Sequence, residues 1–61
     1  MYDFKLSPKH GGRALYIGTH SGDYWGGAYR VQSVGGRAFT LHGWAAFQHF
    51  ADNNGLRIDW L

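Results

Sequence analysis

The chain contains no cysteine and no glutamate, and it has a single proline and a single methionine. Without cysteine there is no disulfide staple, no thiol nucleophile and no cysteine-based zinc site, and a reducing interior, the cytoplasm, is the expected setting. Without glutamate the only carboxylates are Asp3, Asp23, Asp52 and Asp59. Acid/base chemistry would need two of these, or one of them and a histidine, to meet in a cleft with their pKa values pushed apart. Asp23 falls in a predicted turn, Asp52 near a predicted helix end, and Asp3 and Asp59 at outward strand positions, so each reads as a solvated surface group. Ser7, Ser21 and Ser33 lack a nucleophile signature such as GxSxG. No enzymatic activity is expected.

Long hydrophobic runs are also missing. Met1 to Leu6 alternates apolar with polar residues, which fits neither a signal peptide nor a membrane anchor, and no later stretch approaches a membrane span. No membrane partner is expected.

The histidines His10, His20, His42 and His49 have poor metal-ligand spacing. His42 and His49 are seven apart, and neither lies in an HExxH arrangement. No metal or other cofactor is expected. The ten glycines fall largely in pairs between apolar runs. None matches GxGxxG or GxxxxGK[ST], so they read as turns and bulges and not as phosphate cradles. One looser anion site is the helix start at Gly43, where free N–H groups would stand beside His42. The net charge of +2 is mild, with the basic residues spread along the chain.

What the chain has in quantity is aromatic side chains, 18% of its 61 residues. A domain this short buries only about 60% of the surface its unfolded form exposes, so large rings make its core efficient. Burial and chain entropy still come close to balancing. A partner is therefore expected to add stability, and a homodimer is one form that this takes.

Tyr2, Phe4 and Leu6 alternate with Asp3 and Lys5, the period of a strand with one buried face. Arg13 to Thr19 reads as a central strand, with Leu15 and Ile17 on one face and Ala14 and Tyr16 on the other. Tyr24 to Val34 reads as a long strand with a bulge or bend at Gly26-Gly27. Val34-Gly35-Gly36-Arg37 predicts a two-residue hairpin loop into a strand Arg37 to Leu41.

From Gly43 the period changes. Trp44, Phe47, Phe50 and Ala51 share one stripe of a helix of about three turns, which Asn53-Asn54-Gly55 ends. Leu56, Ile58 and Trp60 alternate with Arg57 and Asp59 in a last strand, expected to run parallel to Arg37–Leu41 or to pair across a dimer. The fold class is thus α+β: a single domain, residues 1–61, with a small twisted mainly antiparallel sheet in the order β-β-β-β-α-β and one helix packed on one face.

Once the helix stripe and the last strand are assigned to the core, the remaining aromatics and cations mark a candidate binding site. It comprises Tyr16, Tyr24, Trp25, Arg30, Gln32, Lys9 and His20, with Tyr16, Arg30 and Gln32 placed on the sheet face opposite the helix. Aromatic and cationic side chains on an open sheet suit stacked bases and phosphates, and Tyr, Trp and Arg are equally the currency of protein interfaces.

The segment Gly43 to Leu56, with Trp44, Phe47, Asn54 and Leu56, resembles the closing helix of plant B3 DNA-binding domains over a quarter of the chain. Sheet followed by helix is similar in architecture to single-stranded-DNA-binding coactivator domains. A short cysteine-free chain also resembles the small accessory proteins that phages and mobile elements encode, which implies binding to a host protein. The expected function is a small non-enzymatic binding protein of that phage-type accessory kind, which binds and modulates a host protein. The alternative is a nucleic-acid-binding module that uses an aromatic and basic sheet face.

Overall fold

The computed structural model describes residues 1–61. Five strands and one helix follow in the order β1 (Phe4–Pro8), β2 (Tyr16–Ser21), β3 (Ala28–Ser33), β4 (Ala38–His42), α1 (Trp44–Asn53) and β5 (Leu56–Trp60). All neighbouring strands are antiparallel, in one open sheet of spatial order β4-β3-β2-β1-β5. The chain is therefore α+β, with the helix on one sheet face. That helix is too short to cross a membrane.

The last strand does not join β4. Leu56–Trp60 pairs with β1 within the same chain, Phe4 opposite Trp60 and Pro8 opposite Leu56. The meander β1–β4 leaves β1 with a free outer edge. A ten-residue helix, about 15 Å long, carries the chain back across the sheet to that edge. β4 and β5 run in the same direction at opposite edges, with three strands between them.

Two local readings change as well. Tyr24–Gly27 is a turn and not strand: Asp23 accepts from the Gly26 N–H through Oδ1 at 2.6 Å and from the Gly27 N–H through its carbonyl at 2.8 Å. Gly27 has no room for a side chain, because a Cβ there would meet the carbonyls of Asp23 and Ser21. The β3–β4 connection is a three-residue loop. Ser33 N–H bonds the Arg37 carbonyl at 2.6 Å, and Gly36 alone takes a positive φ, 110°, which is the bulged hairpin form and not the two-residue one.

The core is Phe4, Leu6, Tyr29, Val31, Phe47, Ala51 and Leu56, with Tyr16, Phe39, Leu41, Trp44, Phe50 and Ile58 half-buried around it. Strand register places Gly18 opposite Phe4 and Val31. A Cβ at Gly18 would press on the Arg30 carbonyl oxygen and stand 2.5 Å from Cζ of Phe4. Gly18 is therefore the floor under the Phe4 ring. Gly18→Ala is expected to cost about 1 to 3 kcal/mol through overpacking, seen as a lower melting temperature with an unchanged circular dichroism spectrum before the transition.

Because Gly18 faces the helix, so do its period-two neighbours Tyr16 and His20. Tyr16 makes edge-on contacts with Phe50 at 5.4 Å and Phe39 at 6.3 Å. Its placement on the open face is thus corrected. Ile17 takes the open face instead.

Candidate partner-binding surface

The two ends of the sheet differ in chemistry. At one end lie the β1–β2 and β3–β4 loops and the close of α1. At the other lie the start of α1, the β2–β3 loop and the end of β5. That second end gathers the aromatics the core leaves out.

Helix α1 begins at Gly43, φ 90°, with no side-chain cap. Backbone from the β2–β3 loop supplies the acceptors: Gly43 N–H bonds the Gly27 carbonyl at 2.7 Å and Trp44 N–H the Trp25 carbonyl at 2.9 Å. These two donors are therefore engaged, which leaves the Ala45 and Ala46 N–H groups as the free donors of the helix start beside His42. The same hydrogen bonds hold residues 22–27 against the helix.

Two more contacts hold the loop from below. Tyr29 is fully buried, and its hydroxyl donates to the Tyr24 carbonyl at 2.5 Å. The His20 imidazole donates from Nε2 to the Asp23 carbonyl at 3.0 Å and stacks on Tyr29 at 4.3 Å. A carbonyl only accepts, so the proton is on Nε2. The loop is thereby ordered before any partner arrives.

On this support Tyr24 stacks against Trp44 at 4.8 Å, Trp25 meets Tyr24 edge-on at 4.8 Å, and Trp44 faces Trp60 at 6.4 Å. Exposure is 44% for Tyr24, 72% for Trp25 and 47% for Trp60, while Trp44 is half-buried between them. The four rings form one continuous ridge along the end of the domain. Assignment of Trp60 to the core is corrected. Its alternation with Leu56 and Ile58 puts it on the helix side, but it closes an edge strand beyond which nothing lies to cover it.

The seven residues expected to form a site are dispersed. Tyr24, Trp25 and His20 belong to the aromatic end. Tyr16 is under the helix. Arg30 and Gln32 are on the open face, where with Tyr2, Gly18 and Thr19 they line a shallow recess of about 100 Å³. Lys9 is at the far end, 3.7 Å from Asp52, a half-exposed ion pair of little energetic weight. Trp44 and Trp60 are the members of the ridge that sequence reasoning spent on the core.

None of the six Lys and Arg side chains is at the aromatic end. Lys5, Arg30 and Arg57 belong to the open face by strand register, and Lys9, Arg13 and Arg37 to the opposite end. The carboxylates there are Asp23, in the loop, and Asp3, which accepts the His20 N–H at 2.8 Å. The histidines and aspartates nowhere gather in a group of three or more able to hold a metal ion.

Burial pushes the Tyr29 phenol above its ordinary pKa, and the Tyr24 phenol and the Asp23 carboxylate add to the shift. The unfolded chain releases this proton near pH ~10, while the folded chain keeps it to higher pH. The stabilisation is complete below the unfolded value and is lost as pH rises toward the folded one. Tyr29→Phe is expected to cost about 1 kcal/mol at neutral pH through the lost hydrogen bond, and to flatten the alkaline loss. Urea midpoints at neutral and strongly alkaline pH check both effects.

No family model, curated protein or solved structure matches the chain. The resemblances to B3 domains, coactivator domains and phage-type accessory proteins therefore assign no family.

Proposed function

We propose that the chain is a non-enzymatic binding protein that docks on a protein partner through the ridge of Tyr24, Trp25, Trp44 and Trp60. One observation carries the reading: three large aromatics stand 44 to 72% exposed and are joined through Trp44, Trp60 at the end of β5 and Tyr24 and Trp25 on a loop already ordered by hydrogen bonds to the helix start and to Tyr29. Rigid tyrosine and tryptophan anchors give the most binding energy for the least ordering cost, and interface hot spots are enriched in them. The ridge has Asp23 in its loop and Asp3 nearby, and no Lys or Arg side chain at its end of the sheet. A protein segment with apolar and basic side chains complements it, and a phosphate backbone does not. A phage-type accessory role fits within this reading, since occupying one surface of a larger host protein is enough to modulate it.

The nucleic-acid alternative uses the other side of the sheet, where Arg30 and Gln32 share their recess with Tyr2. Salt separates the two. Phosphate contacts release counterions and weaken steeply with ionic strength, whereas an aromatic protein interface does not. The test is capture of a stoichiometric protein partner by the native chain and its loss with Trp25→Ala, alongside fluorescence titration with single- and double-stranded oligonucleotides at low salt. Oligonucleotide binding that falls steeply with salt and is lost with Arg30→Ala would replace the proposal by its alternative.

A further inference from the structure

We infer that β4 is a self-pairing edge, through which two copies of the chain join their sheets about a twofold axis. Hydrogen bonds at both ends of β4 fix which residues face outward. Ser33 N–H bonds the Arg37 carbonyl, and Gly43 N–H bonds the Gly27 carbonyl. In an antiparallel ladder both backbone groups of one residue point the same way, and the direction alternates along the strand. Arg37, Phe39, Leu41 and Gly43 therefore face β3. Ala38, Thr40 and His42 present their N–H and C=O groups to solvent.

Those three residues are self-complementary. Antiparallel pairing centred on Thr40 sets Thr40 against the partner's Thr40 and Ala38 against the partner's His42. Every outward donor then meets an outward acceptor, and each hydrogen-bonded pair exchanges two bonds. On the helix side the same register places Phe39 against the partner's Leu41. Phe39 and Leu41 are only half-buried in the single chain because the sheet stops at them, and an aromatic–aliphatic cross-strand pair covers both.

The two edges of the sheet are not protected alike. Natural edges are guarded by charges, proline or bulges. β5 carries Arg57 and Asp59, joined at 3.1 Å. β4 reads Ala-Phe-Thr-Leu-His, pairs regularly with β3 along its length and has no Lys, Arg, Asp or proline. No like-charged Lys, Arg or Asp pair opposes its twofold pairing. A five-residue edge buries less than a standard interface of about 1,600 Å², so the association is weak and depends on concentration.

The surface is separate from the aromatic ridge, so the two readings fail independently. In sedimentation equilibrium up to millimolar protein, the native chain is expected to double its weight-average mass. Thr40→Lys places two ammonium groups face to face and is expected to stay monomeric; because residue 40 also lies opposite Arg30 in its own chain, its melting temperature at low concentration is expected to fall by no more than a few degrees. Thr40→Glu behaves likewise, and an equimolar mixture of the two variants restores dimers at lower concentration than the native chain requires. Trp25→Ala is expected to dimerise as the native chain does. A native chain that stays monomeric throughout overturns the inference, as does a Thr40→Lys chain that still dimerises or a mixture that does not associate.

Discussion

Phe47→Ala is expected to leave the chain largely unfolded at room temperature. The Phe47 ring has no solvent exposure and lies at the centre of the aromatic core. It is parallel to Tyr29 at 4.4 Å, 4.7 Å from Phe4 and 5.7 Å from Trp44. Removing it takes away the transfer energy of the ring and leaves a cavity between sheet and helix, a cost of about 3 to 5 kcal/mol. At roughly 0.05 to 0.15 kcal/mol per residue, a chain this short holds only a few kcal/mol of stability to set against that cost. Circular dichroism and urea titration read the result, and Phe47→Leu, which keeps most of the volume, is expected to fold with a lower midpoint. Trp44 shares the helix stripe but is half-exposed, so its truncation costs less. A Phe47→Ala chain that melts within a few degrees of the native one would place the core elsewhere.

The second large effect is on binding and leaves stability alone. Trp25→Ala removes a ring that is 72% exposed. The hydrogen bond from Trp44 N–H to residue 25 is made by the main-chain carbonyl, and alanine keeps it. The helix start and the loop therefore hold, and the melting temperature stays within a few degrees. Truncating a hot-spot tryptophan costs about 2 kcal/mol or more in binding, a loss of roughly 30-fold in affinity or greater. This dissociation of effects separates a binding residue from a core one. Phe47→Ala loses both fold and binding, and Trp25→Ala loses binding alone.

Regular alternation made much of this architecture legible. Phe4 and Leu6, and Leu56 and Ile58, each obey a two-residue period with one buried face, and the switch to Trp44, Phe47 and Ala51 marks the helix. Gly55, at φ 65°, stops it where the Asn-Asn-Gly run indicates. What was not legible depended on distant contacts. Ala14-Leu15-Tyr16-Ile17 is apolar on both parities, and only Gly18 decides between them, because the Phe4 ring needs the space that Gly18 leaves. Pairing of the last strand depended on which sheet edge stayed free, a property of the whole meander.

The candidate site was legible in its loop half. Tyr24 and Trp25 lie between the turn former Asp23 and the Gly26-Gly27 bend, and they stand out once the core is counted. Trp44 and Trp60 were spent on the core because periodicity reports which face a side chain takes and not how much lies above it. The diagonal helix and the edge position of β5 leave those two rings half-covered, so that they complete the ridge. Arg30 and Gln32, one strand away in sequence, end on the opposite face of the sheet.

The central claim, that the aromatic end is a preorganised docking surface and not part of the stabilising core, is tested most directly by one paired measurement on Trp25→Ala. Its melting temperature and its affinity for the captured partner are compared with those of the native chain in the same buffer. The account predicts a melting temperature within a few degrees and an affinity lower by roughly 30-fold or more. An unchanged affinity, or a melting temperature that falls as far as that of Phe47→Leu, would contradict it.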